Sequence, residues 1–361
     1  MHRRDFARLS ALTLAATRLS AQTSVPEPKP VGFAAVGLGT ISGIFSQALA
    51  NSRSAKLTAV VTGHPKEKGE RYEKLYDLAP HSIYTYDTYD KLRDNPTVEA
   101  VYIGLPNSMH CDYTIRAAEA GKHVLCEKPM AISSAECRRM IDACRAANVH
   151  LMIAYRLWYD PTIAYAASLI KNGALGQIQS FQGAFLGNMT PNQWRLTKAL
   201  AGGGSLFDLG IYPLNAIRYL TGEDPIAYTA VVSTRDKTSG RFAEMEQSIE
   251  FTLKFPSGII ASCRSSYGAS GDSRLEINGE SGSLTIAPAY GYDGMKLTGR
   301  TSDDHIDLAA AGKFPFQFTL EADHLADCIR NNKTPKTPGE LGLADLQSIE
   351  AIYKAAGTPI A

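Results

Sequence analysis

Apolar residues run along this chain in two rhythms, and the change between them falls near residue 155. In the first stretch, short continuous apolar runs alternate with segments of helical spacing. The runs are Phe33-Ala34-Ala35-Val36, Leu57 to Val61, Ala100 to Leu105, Val124-Leu125-Cys126 and Leu151 to Ala154. A strand covered on both faces is apolar throughout, so each run predicts a buried parallel strand. Between them, Ile44, Phe45, Ala48 and Leu49 recur at helical spacing, and His110 to Ala120 predicts a helix stopped by Gly121. Ser133 and Glu136 form a capping box ahead of Met140, Ile141 and Cys144. Strand and helix alternating from 33 to 154 predict a doubly wound parallel sheet of the α/β class.

From Tyr155 the rhythm changes. Tyr159-Asp160-Pro161 opens a helix through Ala164 to Ile170. Strands are predicted at Ile178–Phe185, Ala227–Ser233, Ser248–Phe255, Ile259–Ser266, Arg274–Asn278 and Ser283–Ala287, with hairpin turns at Pro256-Ser257-Gly258 and Gly279 to Gly282. This is an α+β domain with an open, mostly antiparallel sheet, one face of which is left for helices or a second subunit. Thr337 as N-cap, Pro338 at the first helical position and Glu340 at the third predict a last helix ending at Gly357. The expected division is a leader over 1–22, a proline-bearing arm over 23–30, a first domain over 31–154 and a second over 155–361. The last helix is in a position to pack back on the first domain.

Length agrees with that division, since 361 residues suggest about two domains. Charge narrows the ligand. Thirty-seven basic against 36 acidic residues leave a net +1, with no electrostatic footprint for nucleic acid. No apolar run reaches the ~18 residues of a membrane span, so a small molecule is the expected partner. The start of the chain changes the expected compartment. Arg3-Arg4-Asp5-Phe6 and Leu9, an apolar stretch to Ala16 and Ser20-Ala21 resemble a twin-arginine export signal over residues 1–22, which predicts a periplasmic protein. Arg18 and Leu19 make the cleavage site imperfect. Cys111, Cys126, Cys137, Cys144, Cys263 and Cys328 could pair in an exported protein, but that export route carries proteins folded in a reducing cytosol, which argues against it. None has C-x-x-C spacing, and no metal site is expected. The arm reads either as an inert linker or as a strap across a neighbouring subunit.

Candidate chemistry gathers at strand ends. After Val124-Leu125-Cys126 the chain delivers Glu127 and Lys128 to a carboxyl tip, and Pro129, having no N–H, stops the ladder. Ligands of open α/β sheets bind outside such tips; the plain alternative is a solvated strand-to-helix turn. Gly37-Leu38-Gly39-Thr40-Ile41-Ser42-Gly43 follows a strand and opens a helix, the context of a dinucleotide fingerprint. Ser42 stands in the third glycine's place, with glycine one residue late. Gly37 suits a tight turn. Gly39 lets the backbone approach a pyrophosphate at the helix N-terminus, with Leu38, Thr40 and Ile41 completing the loop. The first domain therefore reads as a Rossmann domain. Thr62-Gly63-His64 stands where an NAD enzyme carries Asp or Glu, and Lys66 and Lys68 follow. This reads as NADP(H), with NAD possible and a solvated loop as the alternative. Pro106, Asn107 and His110 are candidates for the nicotinamide end, His110 being equally a helix-start residue. In Leu200 to Pro213, Gly202-Gly203-Gly204 lets a loop lie tightly on a ligand, and Asp208 and Tyr212 fall four apart on one helix face. A phenol titrates near ~10 in isolation, so Tyr212 needs a cation such as Lys128 to act as a base near neutrality. Alternatively it is a packed ring with its hydroxyl tied to Asp208.

Together these residues resemble the Gfo/Idh/MocA oxidoreductase family. The likeness runs from about Val31 to the C-terminal helix. Its most specific pieces are Ala100-Val101-Tyr102-Ile103 with Leu105-Pro106-Asn107-Ser108, Ala120 to Val124 leading into Cys126-Glu127-Lys128-Pro129-Met130-Ala131, Gln193-Trp194-Arg195-Leu196, and Leu200 to Tyr212. Tyrosine at 212, where many members have histidine, is similar to the branch of glucose–fructose oxidoreductase and the xylose and dihydrodiol dehydrogenases. The resemblance implies Lys128 as catalytic lysine, Tyr212 as acid/base and Asp208 as the aspartate one turn earlier. It further implies Glu127, Arg156, Trp194 and Arg195 at the cofactor, and Arg156, Tyr159, Trp194 and Tyr292 at a sugar. Thr62 and Gly63 match a Ser-Gly pair beside the adenine ribose, but that motif's lysine falls on Glu67, between Lys66 and Lys68. Implied for the whole protein are an aldose substrate oxidised at C1, an NADP reduced by one sugar and reoxidised by a second, and a homodimer or homotetramer built on the C-terminal sheet. The alternatives are a dehydrogenase with exchangeable cofactor, an NAD-assisted glycoside hydrolase and a non-catalytic binding protein.

Overall fold

A computed structural model describes residues 29–271, 273–310 and 312–359; the expected leader and the arm up to residue 28 lie outside the described residues. The first layer runs β1 (Val31–Val36), α1 (Thr40–Leu49), β2 (Ala55–Val61), α2 (Glu70–Tyr76), β3 (Ile83–Tyr84), β4 (Ala100–Ile103), α3 (His110–Glu119), β5 (His123–Glu127), α4 (Ser134–Ala146) and β6 (Leu151–Ala154). Its six strands are all parallel, in the order β3-β2-β1-β4-β5-β6. Every residue of β1, β4 and β6 is buried, which is why these strands carry no polar alternation. The strand order reverses between β1 and β4, so their carboxyl ends frame a crevice.

The second layer runs α5 (Pro161–Lys171), β7 (Ile178–Leu186), α6 (Lys198–Ala201), α7 (Ile211–Thr221), β8 (Ala227–Ser233), β9 (Ser248–Lys254), β10 (Ile260–Ser266), β11 (Ser273–Gly279), β12 (Ser283–Ile286), β13 (Lys296–Arg300) and β14 (His305–Ala309). These strands form one sheet in the order β14-β13-β12-β11-β7-β10-β9-β8, antiparallel except where β7 meets β10. Asp160 caps α5, accepting from the Thr162 N–H at 2.8 Å, with Pro161 at the first helical position. α7 packs on β7 and β10. On the opposite face Val231 is 71% and Ile260 49% exposed.

Of the next four elements, β13, β14 and the helix after them fall where the sequence predicts none, and the fourth is the expected last helix. β13 and β14 extend the sheet, but each is five residues with a single buried side chain, Leu297 and Ile306, so their hydrophobic pattern is weak. α8 (Phe316–Asn331) follows Pro315 without a side-chain cap, and α9 (Gly339–Ala355) closes the fold. Both return to the first layer. α8 lays Ala322, Leu325, Ala326 and Cys328 on Phe33, Tyr102, Leu125 and Met152, and α9 packs on α4, β6 and β8. Arg330 on α8 pairs with Glu99 at 2.6 Å and donates to the Lys29 carbonyl at 2.9 Å. Thr337 does not cap α9. Its hydroxyl donates to the Ile153 carbonyl at 2.7 Å, and its own carbonyl accepts from Ile153 N–H at 2.8 Å, so it extends β6 instead. In the capping box, Ser133 accepts from Glu136 N–H at 3.2 Å, while the Glu136 carboxylate reaches back to Ile132 N–H rather than to Ser133. All six cysteines are buried thiols, and among the described residues no helix is long and apolar enough to cross a membrane.

Candidate active site

The glycine turn after β1 has room for a dinucleotide. Gly37 has φ +80°, and a Cβ there would come within 2.6 Å of Leu105 Cδ2 and 3.0 Å of the Gly104 carbonyl. Gly39 is the N-cap of α1; no side chain caps that helix, and a Cβ at Gly39 would meet nothing within 4 Å. The space before the N–H groups of Thr40 and Ile41 is thus open, which fits a pyrophosphate. Ser42 is wholly buried, and a Cβ on Gly104 would lie 2.3 Å from its hydroxyl. The close approach of helix to sheet that a third glycine usually permits is obtained here from glycine on the strand side. Leu38 is buried, and its carbonyl accepts from Lys68 Nζ at 3.3 Å. Thr62 is buried with its hydroxyl accepting from His64 N–H at 3.1 Å, while Gly63 and Lys66 are exposed. Of the two lysines, Lys68 is the one anchored beside the glycine turn. Gly37→Val is expected to destabilise the fold by about 1–3 kcal/mol through overpacking and backbone strain. A dinucleotide is expected to raise the melting temperature of the parent protein and not that of Gly37→Val; an equal rise in both would place the dinucleotide elsewhere.

The Glu127-Lys128 tip of β5 meets the second layer directly. Lys128 Nζ donates to the Asp208 carbonyl at 2.9 Å and to its Oδ1 at 3.1 Å, and lies 4.4 Å from the centroid of the Tyr212 ring. Asp208 sits in a single π-helical turn, Leu206–Gly210, that runs into α7, and this brings Asp208 and Tyr212 to the same ammonium. The other carboxylate oxygen, Oδ2, pairs with Arg195 Nε at 3.2 Å, and Arg195 in turn lies 4.5 Å over Trp194. Asp208 is therefore spent on two cations and not on the Tyr212 hydroxyl. Burial pushes its carboxyl up, but Lys128, Arg195 and a hydrogen bond from Tyr267 together outweigh burial and hold it low. Burial likewise opposes the charge of Lys128, and Tyr212, Asp208 and Glu127 outweigh it, so the ammonium is firmly held. Glu127 accepts from the Tyr102 hydroxyl at 2.6 Å and from Lys128 N–H at 3.1 Å; burial still raises it.

The triple-glycine loop is held by a residue that no sequence motif marks. Glu246 accepts from Gly204 N–H at 3.1 Å, Leu206 N–H at 3.0 Å and the Tyr353 hydroxyl at 2.8 Å. A Cβ on Gly204 would come 2.3 Å from the Glu246 carbonyl. Tyr267, which meets Asp208, was equally silent in the sequence, where it is one aromatic beyond the end of a strand.

Several expected ligands do other work. His110 is wholly buried, with Nδ1 2.9 Å from the Pro129 carbonyl and Nε2 2.9 Å from the Leu105 carbonyl, so neither nitrogen is available to a nicotinamide. Asn107 is buried and donates to the Ala201 carbonyl at 2.8 Å, tying α6 to the end of β4; Pro106 beside it is half-buried. Tyr159 points away from the cluster, its hydroxyl 3.3 Å from Thr337 Oγ1 and its ring against His324, so it is not a sugar ligand. Arg156 is buried, and both terminal nitrogens are taken by the protein, which corrects its assignment to cofactor and sugar. Tyr292 does reach the cluster. It is 40% exposed, its ring lies 4.7 Å from Arg156 and against Phe314 and Phe318, and burial of its hydroxyl pushes it up to about 12.

Comparison with known proteins bears on the whole of this arrangement. Residues 31–155 match the NAD-binding Rossmann fold of an oxidoreductase family, and residues 163–285 match the GFO/IDH/MocA C-terminal domain. An aldose-aldose oxidoreductase from Caulobacter crescentus, solved with glycerol, is 42% identical with a TM-score of 0.87, over 91% of this chain and 98% of that one. A D-xylose 1-dehydrogenase [NADP(+)] of Haloarcula marismortui is 31% identical over 97% of this chain and 98% of its own length. The trans-1,2-dihydrobenzene-1,2-diol dehydrogenase of Bos taurus is 27% identical over 89% of this chain and 96% of its own.

Proposed function

The chain belongs to the Gfo/Idh/MocA oxidoreductase family, and from that premise we propose that it oxidises an aldose at C1 to the lactone and reduces a second sugar. A single observation carries this reading. Lys128 is tied to Asp208 by two hydrogen bonds and lies over the Tyr212 ring, at the carboxyl end of a dinucleotide-binding sheet. A bound nicotinamide would supply the acceptor for the hydride that leaves C1. Tyr212 takes the proton of the C1 hydroxyl, Lys128 stabilises the resulting charge distribution and orients the substrate oxygen, and Asp208 fixes Lys128. In the second half-reaction Tyr212 returns its proton to the carbonyl of the second sugar. Tyr292 and Trp194 are proposed to line the sugar site. NADP is the proposed cofactor, with Lys68 as the cation nearest the glycine turn. Likeness to an enzyme described as aldose-aldose oxidoreductase supports the two-sugar cycle. Likeness to a dehydrogenase described with NADP(+) supports a second reading, in which the cofactor exchanges with solution.

The test is an absorbance spectrum of extensively dialysed protein. A reduced-nicotinamide band that grows with glucose and decays with fructose supports the two-sugar cycle. Protein that emerges empty and responds only to added NADP supports the exchangeable reading. We further propose that the exposed sheet face bearing Val231 and Ile260 joins two copies, and that the Arg3-Arg4 leader sends the protein to the periplasm.

A further inference from the structure

Arg156 opens the 3-10 turn after β6 and is 5% exposed. Its Nη1 donates to the Gly291 carbonyl at 3.0 Å and to Gln317 Oε1 at 2.6 Å, and its Nη2 to the Tyr290 carbonyl at 2.5 Å. All three acceptors are neutral. Nε has no partner, and among the described residues Arg156 makes no ion pair. A buried guanidinium ordinarily has a carboxylate against it, because an uncompensated charge is costly to keep out of water. Here the hydrogen-bond acceptors are neutral, and the acidic groups that favour the charge, Tyr212, Tyr292 and Glu321, stand near it without forming an ion pair.

The charge has a direction. The guanidinium carbon lies 5.2 Å from the Tyr212 ring centroid and 4.7 Å from that of Tyr292. From α7 the group facing it is Tyr212; from the loop after β12 it is Tyr292; from the tip of β5 come Glu127 and Lys128. From α8 comes Glu321, wholly buried with neither oxygen partnered. Burial raises Glu321 well above the usual carboxylate range and neither of its oxygens is partnered, while Glu127 is taken up by the Tyr102 hydroxyl and the Lys128 N–H, so Arg156 forms an ion pair with neither.

We propose that Arg156 is a positioning residue for the proton transfer, a buried cation without an ion pair that acts with Lys128 to favour the ionised Tyr212 oxygen. The inference rests on the reading of Tyr212 as the base. In the oxidising half-reaction the proton leaves the C1 hydroxyl and ends on the Tyr212 oxygen, the C1 hydrogen leaves with its electron pair for the nicotinamide, and C1–O becomes the lactone carbonyl. Only the oxygen of Tyr212 changes charge among the protein groups, and Arg156 acts on that change without touching the sugar.

The test compares Arg156→Met, Arg156→Lys and Glu321→Gln in the full-length protein. Arg156→Met is expected to lower kcat/KM near neutrality by roughly 10- to 100-fold and to move the rise of the pH–rate profile about 1–2 units to the alkaline side. Arg156→Lys keeps the charge and should restore most of the profile. Glu321→Gln, isosteric and uncharged, should leave the profile in place. A second readout does not need turnover: the tyrosinate absorbance gained on raising pH, with the same titration of Tyr212→Phe subtracted. That difference should also move to the alkaline side in Arg156→Met. Loss of rate in both arginine variants with neither profile nor titration moved would make Arg156 merely structural and overturn the proposal. An acid-side shift in Glu321→Gln would show a charged partner for Arg156 and overturn it as well. A parent protein inactive on every sugar, with the titration still shifted, would remove the enzymatic reading and keep the electrostatic one.

Discussion

Tyr212→Phe is expected to lower kcat by roughly 10³-fold, within the range assigned to a positioned acid or base. The capacity to bind the nicotinamide cofactor should be retained. The ring of Tyr212 is packed edge-on to Phe185 at 5.2 Å and tilted against Tyr290 at 5.8 Å, and both contacts survive when only the hydroxyl is removed. Lys128 keeps its two bonds to Asp208, so its ammonium stays where it is. Stability should change by less than about 1 kcal/mol. Steady-state rates, read beside the cofactor's absorbance and the melting temperature, check all three statements. A phenylalanine variant with parental turnover would take Tyr212 out of the proton transfer.

Lys128→Met should lose a comparable factor in rate and, unlike Tyr212→Phe, should also lose stability. The side chains of Lys128 and Asp208 are 12% and 18% exposed, so the pair is largely out of water. Removing the ammonium leaves the carboxylate with Arg195 and the Tyr267 hydroxyl, at a cost of about 3 kcal/mol, the low end for breaking a buried pair. The change also has a pH signature. In the parent protein burial pushes the Asp208 carboxyl up, and Lys128 and Arg195 hold it below its ordinary value. Its contribution is therefore present above the unfolded value of about 3.9 and is lost only as pH falls through the lower folded value. Without Lys128 the folded value rises, and acid destabilisation begins at higher pH. Urea midpoints measured from about pH 3 to 7 should show the variant's curve falling earlier; coincident curves would mean that Lys128 does not hold this carboxylate.

The parallel sheet was legible because burial on both faces leaves β1, β4 and β6 no polar alternation to confuse the period. The pair Lys128 and Asp208 was legible for another reason: each stands beside a local break, Pro129 in one case and three glycines in the other, that has no use in a plain core. What stayed hidden depends on contacts that no local window contains. Ser42 looked like a blemish in the glycine pattern until Gly104, brought against it by the β1–β4 pairing, supplied the room. His110 looked like a ligand because its two backbone acceptors come from separate strand ends. Arg156 looked like a sugar ligand because its neutral acceptors lie on a loop and a helix more than a hundred residues onward. Thr337 carries the composition of a cap, yet an unpaired edge of β6 competes for the same hydroxyl and backbone and wins.

The return of α8 to the first sheet has a consequence for how the protein is made. Ser52, at the end of the first helix, meets Asp323 on α8 across 271 residues of sequence. A ribosome releases the six strands and flanking helices of the early sheet long before it releases the helix that covers Phe33, Tyr102 and Leu125. During that interval the nascent chain carries a bare apolar surface, the kind of surface that chaperones hold and that aggregates when they do not. A fragment cut at the boundary between the two family matches should therefore aggregate more readily than the whole chain. The last turn of synthesis, more than the first, decides when the cofactor half of this protein becomes a finished object.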